Sequence, residues 1–337
     1  MLKVGIVGCG VMGAIHAKAY SENKDCKLVC VCDSVFEKAT LLARRYNIMQ
    51  YENVDELINN EELDLIDICT TDTEHFEPAM KALDAGVHVF CEKPLAMNST
   101  DALSMVRKAK EKSLFLGVDF NRRFSPFYLQ AKQYFDKGEI GKPVFLRMNL
   151  CQGGEYALAR RREKYYLLYE LQIHAIDMMR YFAGDPEEIF AQFIRTSHEI
   201  FTTCAVYMRY KSGCLGVLLG SWDTDFNHPI ECFEISGVTG KIVVDNIVDG
   251  LSFWKYRKQE LFGRNITDAQ IFKPNIFYQR DFWITFSNHI NQVIHSISKH
   301  QSPPVTGIDG VRSLEIIESA IKSFEEGQVL KIQYSNE

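Results

Sequence analysis

The sequence predicts two domains: an α/β amino-terminal domain with a doubly wound parallel sheet, and an α+β carboxy-terminal domain with a large, mainly antiparallel open sheet. Three observations carry this prediction. Up to Asp119, short apolar runs alternate with helix-forming segments, which is typical of a parallel sheet. From Pro143 onward, strand-like runs follow one another with few helices between them. The change of pattern places the domain boundary at about residue 120, giving domains 1–120 and 121–337.

Composition excludes several classes of function. The 337 residues carry a net charge of -6, from 38 basic and 44 acidic side chains, which disfavours nonspecific binding to nucleic acid or anionic membranes. No apolar run approaches the roughly 20 residues that span a bilayer, and the first residues do not resemble a signal peptide. The 10 cysteines lack zinc-site spacing, so we expect no metal and a reduced, cytoplasmic location.

A glycine-rich turn follows the first strand, residues 2–7, and leads into a helix-forming segment. The turn reads Gly8-Cys9-Gly10-Val11-Met12-Gly13, which is G-x-G-x-x-G between a strand and a helix. Gly8 permits the turn, Gly10 lets the backbone approach a pyrophosphate, and Gly13 lets the helix pack closely. The N–H groups at the start of the helix, around Val11 and Met12, would face the phosphates. The motif predicts a dinucleotide-binding (Rossmann) domain.

An acid closes the second strand. Asp33 lies 25 residues after Gly8, where a carboxylate accepts hydrogen bonds from the adenine-ribose hydroxyls and repels a 2′-phosphate. Neither Ser34 nor Val35 is basic, so the sequence favours NAD over NADP. Asp33 could instead cap the helix that follows near Val35 to Tyr46, and one carboxylate could do both.

Two further strands end in polar residues, at the edge where such sheets bind ligands. One strand ends at Thr70-Thr71-Asp72, and the strand from Val87 runs into Glu92-Lys93-Pro94. The position of Lys93 makes it a candidate for a functional lysine. The alternative is a solvated loop lysine, which is the commoner fate of this residue type.

The second domain contains one helix that carries candidate chemistry. The helix predicted over residues 171–183 places Glu170, His174 and Asp177 at i, i+4 and i+7, on one face. His174 could be a general base that neighbouring carboxylates orient, or a histidine satisfied by adjacent acids near a helix start. Around this helix we predict strands at 143–150, 189–196, 202–210, 214–220, 230–236 and 241–245, and later helices at 279–299 and 308–326. An uncovered apolar face of this sheet would favour oligomerisation.

Taken together, these residues resemble the glucose–fructose oxidoreductase / inositol dehydrogenase / rhizopine catabolism (Gfo/Idh/MocA) family of nicotinamide-dependent sugar oxidoreductases. The match runs nearly end to end. It includes the opening G-C-G-V-M-G-A-I-H-A with His16, the pair Thr70 and His75, Glu92-Lys93-Pro94, Asn121-Arg122-Arg123-Phe124, His174-x-x-Asp177 and Thr306-Gly307-Ile308-Asp309-Gly310.

The resemblance implies roles for individual residues. It implies that Lys93 hydrogen-bonds the reacting hydroxyl, that His174 is the general base, and that Glu170 stands where the family carries an acid. It also implies a cis bond before Pro94 and a homodimer or homotetramer. The cofactor-binding residues predicted from the motifs and the resemblance are Gly8, Gly10, Val11, Met12, Gly13, Asp33, Thr70, Thr71, His75, Glu92 and Lys93.

The sequence departs from the family pattern in two places. Residues 163–169 are bulky where relatives often carry glycines, and Thr71 replaces a usual proline. The candidate substrate contacts are Arg123, Tyr165, Asp177 and Trp222. Arg123 could reach the substrate or only brace the domain junction. The arginines at 160–162 could indicate an anionic substrate or be a solvated basic turn, which we favour.

The resulting hypothesis is NAD(P)-dependent, reversible oxidation of a secondary alcohol on a sugar, amino sugar or cyclitol, a small carbohydrate-like substrate. Two other functions stay open. One is a glycosidase that uses bound NAD transiently, with no net redox change. The other is a non-catalytic regulator that binds a nicotinamide nucleotide, although such a protein would need neither Lys93 nor His174.

Overall fold

The computed structural model describes residues 1–154, 163–196, 199–224, 230–261, 264–272 and 282–336. Within these residues the chain forms two compact units. The first comprises Met1–Asn121 and Trp283–Leu314, together with the chain from Ser335 onward, and the second comprises Arg122–Phe282 and Glu315–Tyr334. The first unit is thus discontinuous in sequence. The division into domains 1–120 and 121–337 stays a prediction from the sequence.

Residues 1–121 alternate strands and helices. The strands are β1 (Leu2–Val7), β2 (Cys26–Cys32), β3 (Met49–Tyr51), β4 (Leu65–Ile68), β5 (His88–Glu92) and β6 (Leu116–Asp119). The helices are α1 (Val11–Glu22), α2 (Phe36–Tyr46), α3 (Val54–Asn60), α4 (Phe76–Asp84) and α5 (Ser99–Lys112). The strands form one parallel sheet in the order β3-β2-β1-β4-β5-β6. This is the predicted doubly wound sheet.

Residues 122–282 carry most of a second sheet. Helix α6 (Pro126–Asp136) has Ser125 as its N-cap, whose side chain accepts from the Phe127 N–H, and proline at its first position, which is a favourable helix start. Then follow β7 (Pro143–Cys151), α7 (Ile173–Ala183), β8 (Pro186–Ile194), β9 (Thr203–Tyr210), β10 (Leu215–Ser221), β11 (Ile230–Gly237), β12 (Gly240–Asp245), β13 (Gly250–Leu261) and β14 (Arg264–Phe272).

The last described residues form α8 (Ile284–Ser298), α9 (Gly307–Glu326) and β15 (Leu330–Lys331). The second sheet has nine strands in the order β14-β13-β12-β11-β7-β10-β9-β8-β15. Every neighbouring pair is antiparallel except β7 and β10, which run parallel. The predicted fold class is therefore confirmed for both sheets.

Four strands were not predicted. Strand β3 has only three residues, Met49-Gln50-Tyr51. Strands β13 and β14 form a hairpin at one sheet edge, and half of β13 is the polar run Lys255 to Glu260, which lacks the apolar alternation that marks a buried strand. Strand β15 has only two residues. The predicted helix 279–299 begins at Ile284, and its first residues up to 281 lie outside the described residues.

The core of the first unit lies where β1 and β2 meet α1, α2 and α8. Val4 and Ile6 of β1 and Tyr20 of α1 are fully buried, as are Ile290 and Val293 of α8. A late helix thus completes the core that the first strands begin. In the part of the chain that the structure describes, no helix has both the length and the apolar character needed to cross a bilayer.

Candidate functional site

The glycine turn has the shape that its motif predicts. Gly8 has φ +102°, and a Cβ there would lie 2.4 Å from the Cys69 carbonyl carbon. A Cβ on Gly13 would lie 1.9 Å from the Gly8 carbonyl oxygen, so only glycine allows α1 to pack this closely on the turn. A Cβ on Gly10 would meet nothing within 4 Å. The space above Gly10 therefore stays open to a ligand.

Helix α1 begins at this turn with no side-chain cap and no acid in its first turn. Its first N–H groups, including those of Val11 and Met12, carry the positive end of the helix dipole. Val11 is 67% exposed. An open glycine turn beside uncapped N–H groups fits the pyrophosphate of a dinucleotide.

Asp33 closes β2 beside the same turn. Its Oδ2 accepts from the Cys9 N–H at 2.7 Å, and its Oδ1 accepts from the Val35 N–H at 2.8 Å. The residue at the N-cap of α2 is Val35, so Asp33 holds the turn and the entry to α2 and does not itself cap the helix. The carboxylate lies where the sequence places the ribose-binding acid, next to the glycine turn.

The loops after β4 and β5 are tied together by a histidine. His75 is 1% exposed, and burial lowers the pKa of its imidazole, which favours the neutral form. Its Nδ1 lies 2.6 Å from the Pro94 carbonyl oxygen, so it donates there, and its Nε2 lies 3.3 Å from the Thr70 oxygen. The hydroxyls of Thr70 and Thr71 bond to Glu74. The His75 side chain thus connects the loop after β4 to the loop after β5.

Lys93 follows β5, and the bond between Lys93 and Pro94 is cis, as the resemblance implied. The Glu92 side chain turns into the unit and is 6% exposed. Its Oε2 accepts from the Lys93 N–H at 3.1 Å. Glu92 therefore holds the main chain of Lys93 in place.

A buried cluster of charged groups lies beside Glu92, and sequence reasoning missed it. Asp67 on β4, Glu92 on β5 and Asp119 on β6 share one face of the parallel sheet. His16 of α1 is fully buried among them, and His289 of α8 contacts Asp119 with 2.6 Å between Nδ1 and Oδ1. The available signal was an acid near the end of three successive apolar strands.

The charges in this cluster shift one another's pKa. Burial alone lowers the pKa of His16, but Cys69, Asp67 and Asp119 raise it well above the ordinary value of 6.5. Burial alone raises the pKa of Asp119, but the nearby imidazoles of His16 and His289 lower it to about 2. Both shifts favour a cationic His16 beside an anionic Asp119.

In the second unit, the predicted helix with Glu170 and His174 starts differently from the prediction. Residues Leu168–Gln172 form a π-helical turn, and α7 begins at Ile173. The prediction of one continuous α-helical face is therefore wrong at its first turn. Glu170 and His174 are half-buried, whereas Asp177 is 1% exposed. Such π-helical turns are frequent at functional sites.

Gln172, which the sequence gave no reason to single out, holds this turn. Its side chain is fully buried, and its Nε2 donates to the Leu150 carbonyl of β7 at 3.0 Å. Gly220 of β10 provides the space, because a Cβ there would lie 2.3 Å from the Gln172 Cδ. The π-helical turn is therefore fixed to the sheet two residues before His174.

Arg123 and Asp177, both candidate substrate contacts, bond to each other. Arg123 donates from Nε to Oδ2 at 2.8 Å and from Nη2 to Oδ1 at 2.5 Å, and its guanidinium lies 4.9 Å from the Tyr181 ring. Such a bidentate, buried pair fixes the start of α6 to α7. The geometry favours a bracing role over substrate contact for both side chains.

The remaining candidates lie in aromatic clusters. Tyr165 stacks on Phe201 at 5.2 Å between centroids, and its hydroxyl donates to Glu325 at 2.8 Å. Trp222 is 4% exposed and lies 6.0 Å from the Tyr166 ring. The large side chains of Tyr165 and Tyr166 in the 163–169 segment therefore pack against other aromatic residues. The arginines at 160–162 lie outside the described residues.

Comparison with known proteins agrees with these features. Residues 2–120 match the model of an oxidoreductase family with an NAD-binding Rossmann fold, and residues 128–243 match the GFO/IDH/MocA C-terminal domain. The chain is 27% identical to the myo-inositol 2-dehydrogenase of Thermotoga maritima over 340 residues, which cover 98% of this chain and 99% of that protein.

Two further similarities extend over the whole chain. Identity to the scyllo-inositol 2-dehydrogenase (NAD(+)) of Bacillus subtilis is 24%, covering 98% of this chain and 96% of that protein. The solved structure of levoglucosan dehydrogenase with NADH and L-sorbose has a TM-score of 0.88 and 21% identity, with 99% of each chain covered, which shows a shared fold.

Proposed function

Since the chain belongs to the Gfo/Idh/MocA family of oxidoreductases, we propose that it is an NAD-dependent dehydrogenase acting on a secondary alcohol of a sugar, amino sugar or cyclitol. One observation carries the proposal. The open turn at Gly10 and the cis-linked Lys93 both lie at the carboxyl ends of strands of one parallel sheet, where such folds bind their ligands.

We propose NAD rather than NADP because of Asp33. Its carboxylate is anchored by two backbone N–H groups, one from the glycine turn, so it cannot easily move away from an incoming 2′-phosphate. The neighbouring Ser34 and Val35 supply no cation to neutralise such a phosphate. The family's NAD-binding model over residues 2–120 supports a nicotinamide dinucleotide in general.

For the chemical step we propose that Lys93 donates a hydrogen bond to the reacting hydroxyl and stabilises the developing alkoxide. His174 takes the hydroxyl proton during oxidation and returns it during reduction. Glu170 lies on the π-helical turn before α7, and we propose that it orients the imidazole. The nicotinamide accepts or gives the hydride at the same carbon. The task of the protein is to align these groups.

Cyclitols are the first substrates to test. Two relatives that match nearly the whole chain are named inositol 2-dehydrogenases, of Thermotoga maritima and Bacillus subtilis. Their identities of 27% and 24% leave room for a different polyol, so hexoses, amino sugars and uronates belong in the same panel.

The test is to incubate the purified protein with NAD⁺, and separately NADP⁺, against this panel while following reduced nicotinamide. We expect turnover with NAD⁺ and one substrate class. His174→Gln should lower kcat by about 10²–10⁴. His295→Gln is the matched control, since His295 lies exposed on α8. Wild-type turnover in His174→Gln would remove His174 from the mechanism.

The other two functions give different results in this assay. Cleavage of a glycoside without net NADH would indicate the redox-neutral glycosidase. Tight NADH binding without turnover or cleavage of any panel member would indicate the regulator. Turnover only with NADP⁺ would contradict the role proposed for Asp33.

We also propose that the chain forms a homodimer or homotetramer through the nine-stranded sheet. On one face of this sheet, β10 exposes Leu215, Val217 and Leu219 in alternation, each between 39% and 43% exposed. Phe145 of β7 pairs with Leu215 and is 42% exposed. A row of exposed apolar side chains of this kind is typical of a surface that is buried against another, and a second copy of the chain supplies a self-complementary one.

A further inference from the structure

Neighbouring strands of the parallel sheet bring three carboxylates together around one imidazole. Asp67 pairs with Phe90 in register, and Glu92, two residues further on the same face, pairs with Asp119. Asp67 and Asp119 are 0–1% exposed and Glu92 is 6% exposed. Three acids this close to one another and this well removed from water stay ionised only if a cation lies among them, and otherwise take up protons.

His16 is the group in the centre. Its Nδ1 lies 2.8 Å from Asp67 Oδ2, and its Nε2 lies 3.3 Å from both Glu92 Oε1 and Asp119 Oδ2. A neutral imidazole has only one N–H, so one ring nitrogen would direct its lone pair at a carboxylate. Both nitrogens can donate to a carboxylate only if both carry a proton.

We propose that His16 is an imidazolium at neutral pH whose charge offsets part of the charge of these three acids and thereby positions Lys93. The route to Lys93 is short. One oxygen of Glu92 faces His16, and the other accepts the Lys93 N–H. On the far side, His75 donates to the Pro94 carbonyl. Glu92 thus holds the main chain on the Lys93 side of the cis bond, and His75 holds it on the Pro94 side. Of these two side chains, His16 positions Glu92. The positioning role rests on the proposed function of Lys93, whereas the protonation state does not.

The other groups that face the cluster are consistent with a cation at His16. Cys69 Sγ lies 3.4 Å from the His16 Nδ1; burial raises the pKa of this thiol, and the charge of His16 acts to lower it. Tyr20 of α1 is also buried with a raised pKa, and its phenol stays neutral. His289 of α8 binds the other oxygen of Asp119. The ring of Phe90 stacks on His16 at 6.1 Å between centroids.

A metal ion is the competing occupant. The ligand atoms of His16, Glu92 and Asp119 lie within 4.8 Å of one another, and Asp67 would then orient His16 as carboxylates orient metal-bound histidines. The two cases differ at one atom. In the imidazolium, His16 Nε2 carries a proton, whereas in a metal site the same nitrogen binds the metal ion.

The first experiment uses the intact protein labelled with ¹⁵N at histidine. The spectrum of His16 is identified among the nine histidines by its loss in His16→Gln. We expect both ring nitrogens of His16 to stay protonated from pH 6 to pH 9. A titration near the ordinary pKa of about 6.5, or a single protonated nitrogen at pH 7, would overturn the proposal. One tightly bound divalent metal per chain by elemental analysis would overturn it as well.

The second experiment tests the positioning role by steady-state kinetics. We expect His16→Gln to lower kcat by about 10–100-fold, because small displacements of a reacting group are costly, while the KM for NAD⁺ changes less than about threefold. His295→Gln is again the control. In His16→Gln/Asp67→Asn one cation and one anion are removed together, so the charge balance is restored and kcat should recover at least partly.

These outcomes separate the proposals from each other. A double variant that is slower than His16→Gln would show that packing, not charge, explains the loss, and would overturn the positioning role. If His16→Gln does not fold, the NMR measurement on wild-type protein, with His16 assigned through Asp67→Asn, still decides its protonation state. A wild-type protein that oxidises no substrate would count against the proposed function and leave the protonation state to be decided by NMR.

Discussion

Alanine substitutions at Gly13 and Gly10 test the glycine turn with the same chemical change at two positions three residues apart. A Cβ on Gly13 would lie 1.9 Å from the Gly8 carbonyl oxygen, whereas real Cβ atoms essentially never approach closer than 3.0 Å. The helix or the turn must therefore shift by about 1 Å, and overpacking of this kind costs roughly 1–3 kcal/mol or more. At Gly10 the same Cβ meets nothing within 4 Å.

Intrinsic preferences make the comparison sharper. Gly13 lies inside α1, where alanine is favoured over glycine by about 1 kcal/mol, so propensity alone predicts that Gly13→Ala is stabilising. We expect the steric term to exceed it and the variant to be less stable by about 1–2 kcal/mol. Gly10, the N-cap, has φ -77°, which any residue adopts. There the entropy gain of about 0.4–1 kcal/mol is offset by the poorer capping of alanine, so we expect little change.

The assay is thermal unfolding without nucleotide, followed by titration with NADH. Gly13→Ala should unfold at a lower temperature than the wild type and bind NADH at least about tenfold more weakly, because its turn is displaced. Gly10→Ala should unfold near the wild-type temperature and yet bind NADH more weakly, because the new methyl group fills the space above the turn. An unfolding temperature of Gly13→Ala equal to or above that of the wild type would refute the reasoning from the 1.9 Å contact.

Four further expectations concern other parts of the molecule. Asp33→Ser should raise kcat/KM with NADP⁺ relative to NAD⁺ by about tenfold or more, and an unchanged ratio would contradict its role in cofactor choice. Arg123→Met should destabilise the protein by about 3–5 kcal/mol, because it removes the bidentate partner of the buried Asp177, and Arg123→Met/Asp177→Leu should recover most of the loss in urea unfolding. Val217→Lys should shift the protein to a smaller species in analytical ultracentrifugation, and an unchanged mass would argue against assembly through this sheet face. Because the pKa of His16 is raised in the folded protein, its protonation stabilises the fold fully below pH 6.5, and this contribution is lost as pH rises through the folded pKa. The difference in free energy of unfolding between the wild type and His16→Gln should therefore become smaller at high pH.

The first sheet was predictable because its signals are local. A strand, a glycine turn and a helix lie next to one another in the sequence, and each strand except the three-residue β3 is a short apolar run that a polar residue follows or ends. The parallel order follows from the alternation of strands and helices. The candidate residues of this sheet, from Gly8 to Lys93, could be chosen for the same reason.

The rest depends on register and on partners that are far apart in sequence. The acid cluster needs the register that pairs Glu92 with Asp119 and a histidine from α8, and no local pattern supplies either. The parallel pairing of β7 with β10 joins segments separated by two other strands. The π-helical turn before α7 has no distinctive sequence pattern, and the Arg123–Asp177 pair becomes visible only when α6 and α7 are both in place.

The discontinuity of the first unit has a consequence for the order of events on the ribosome. When residue 121 leaves the exit tunnel, the parallel sheet is complete in sequence, but Ile290 and Val293, which cover its core, have yet to be synthesised. His289, the partner of Asp119, is missing as well. While residues 122–282 are synthesised, the apolar surface of the nascent sheet and the Asp119 carboxylate stay exposed to water. We therefore expect a fragment ending at residue 121 to be poorly soluble when expressed alone, and a chaperone-dependent interval during synthesis of the full chain.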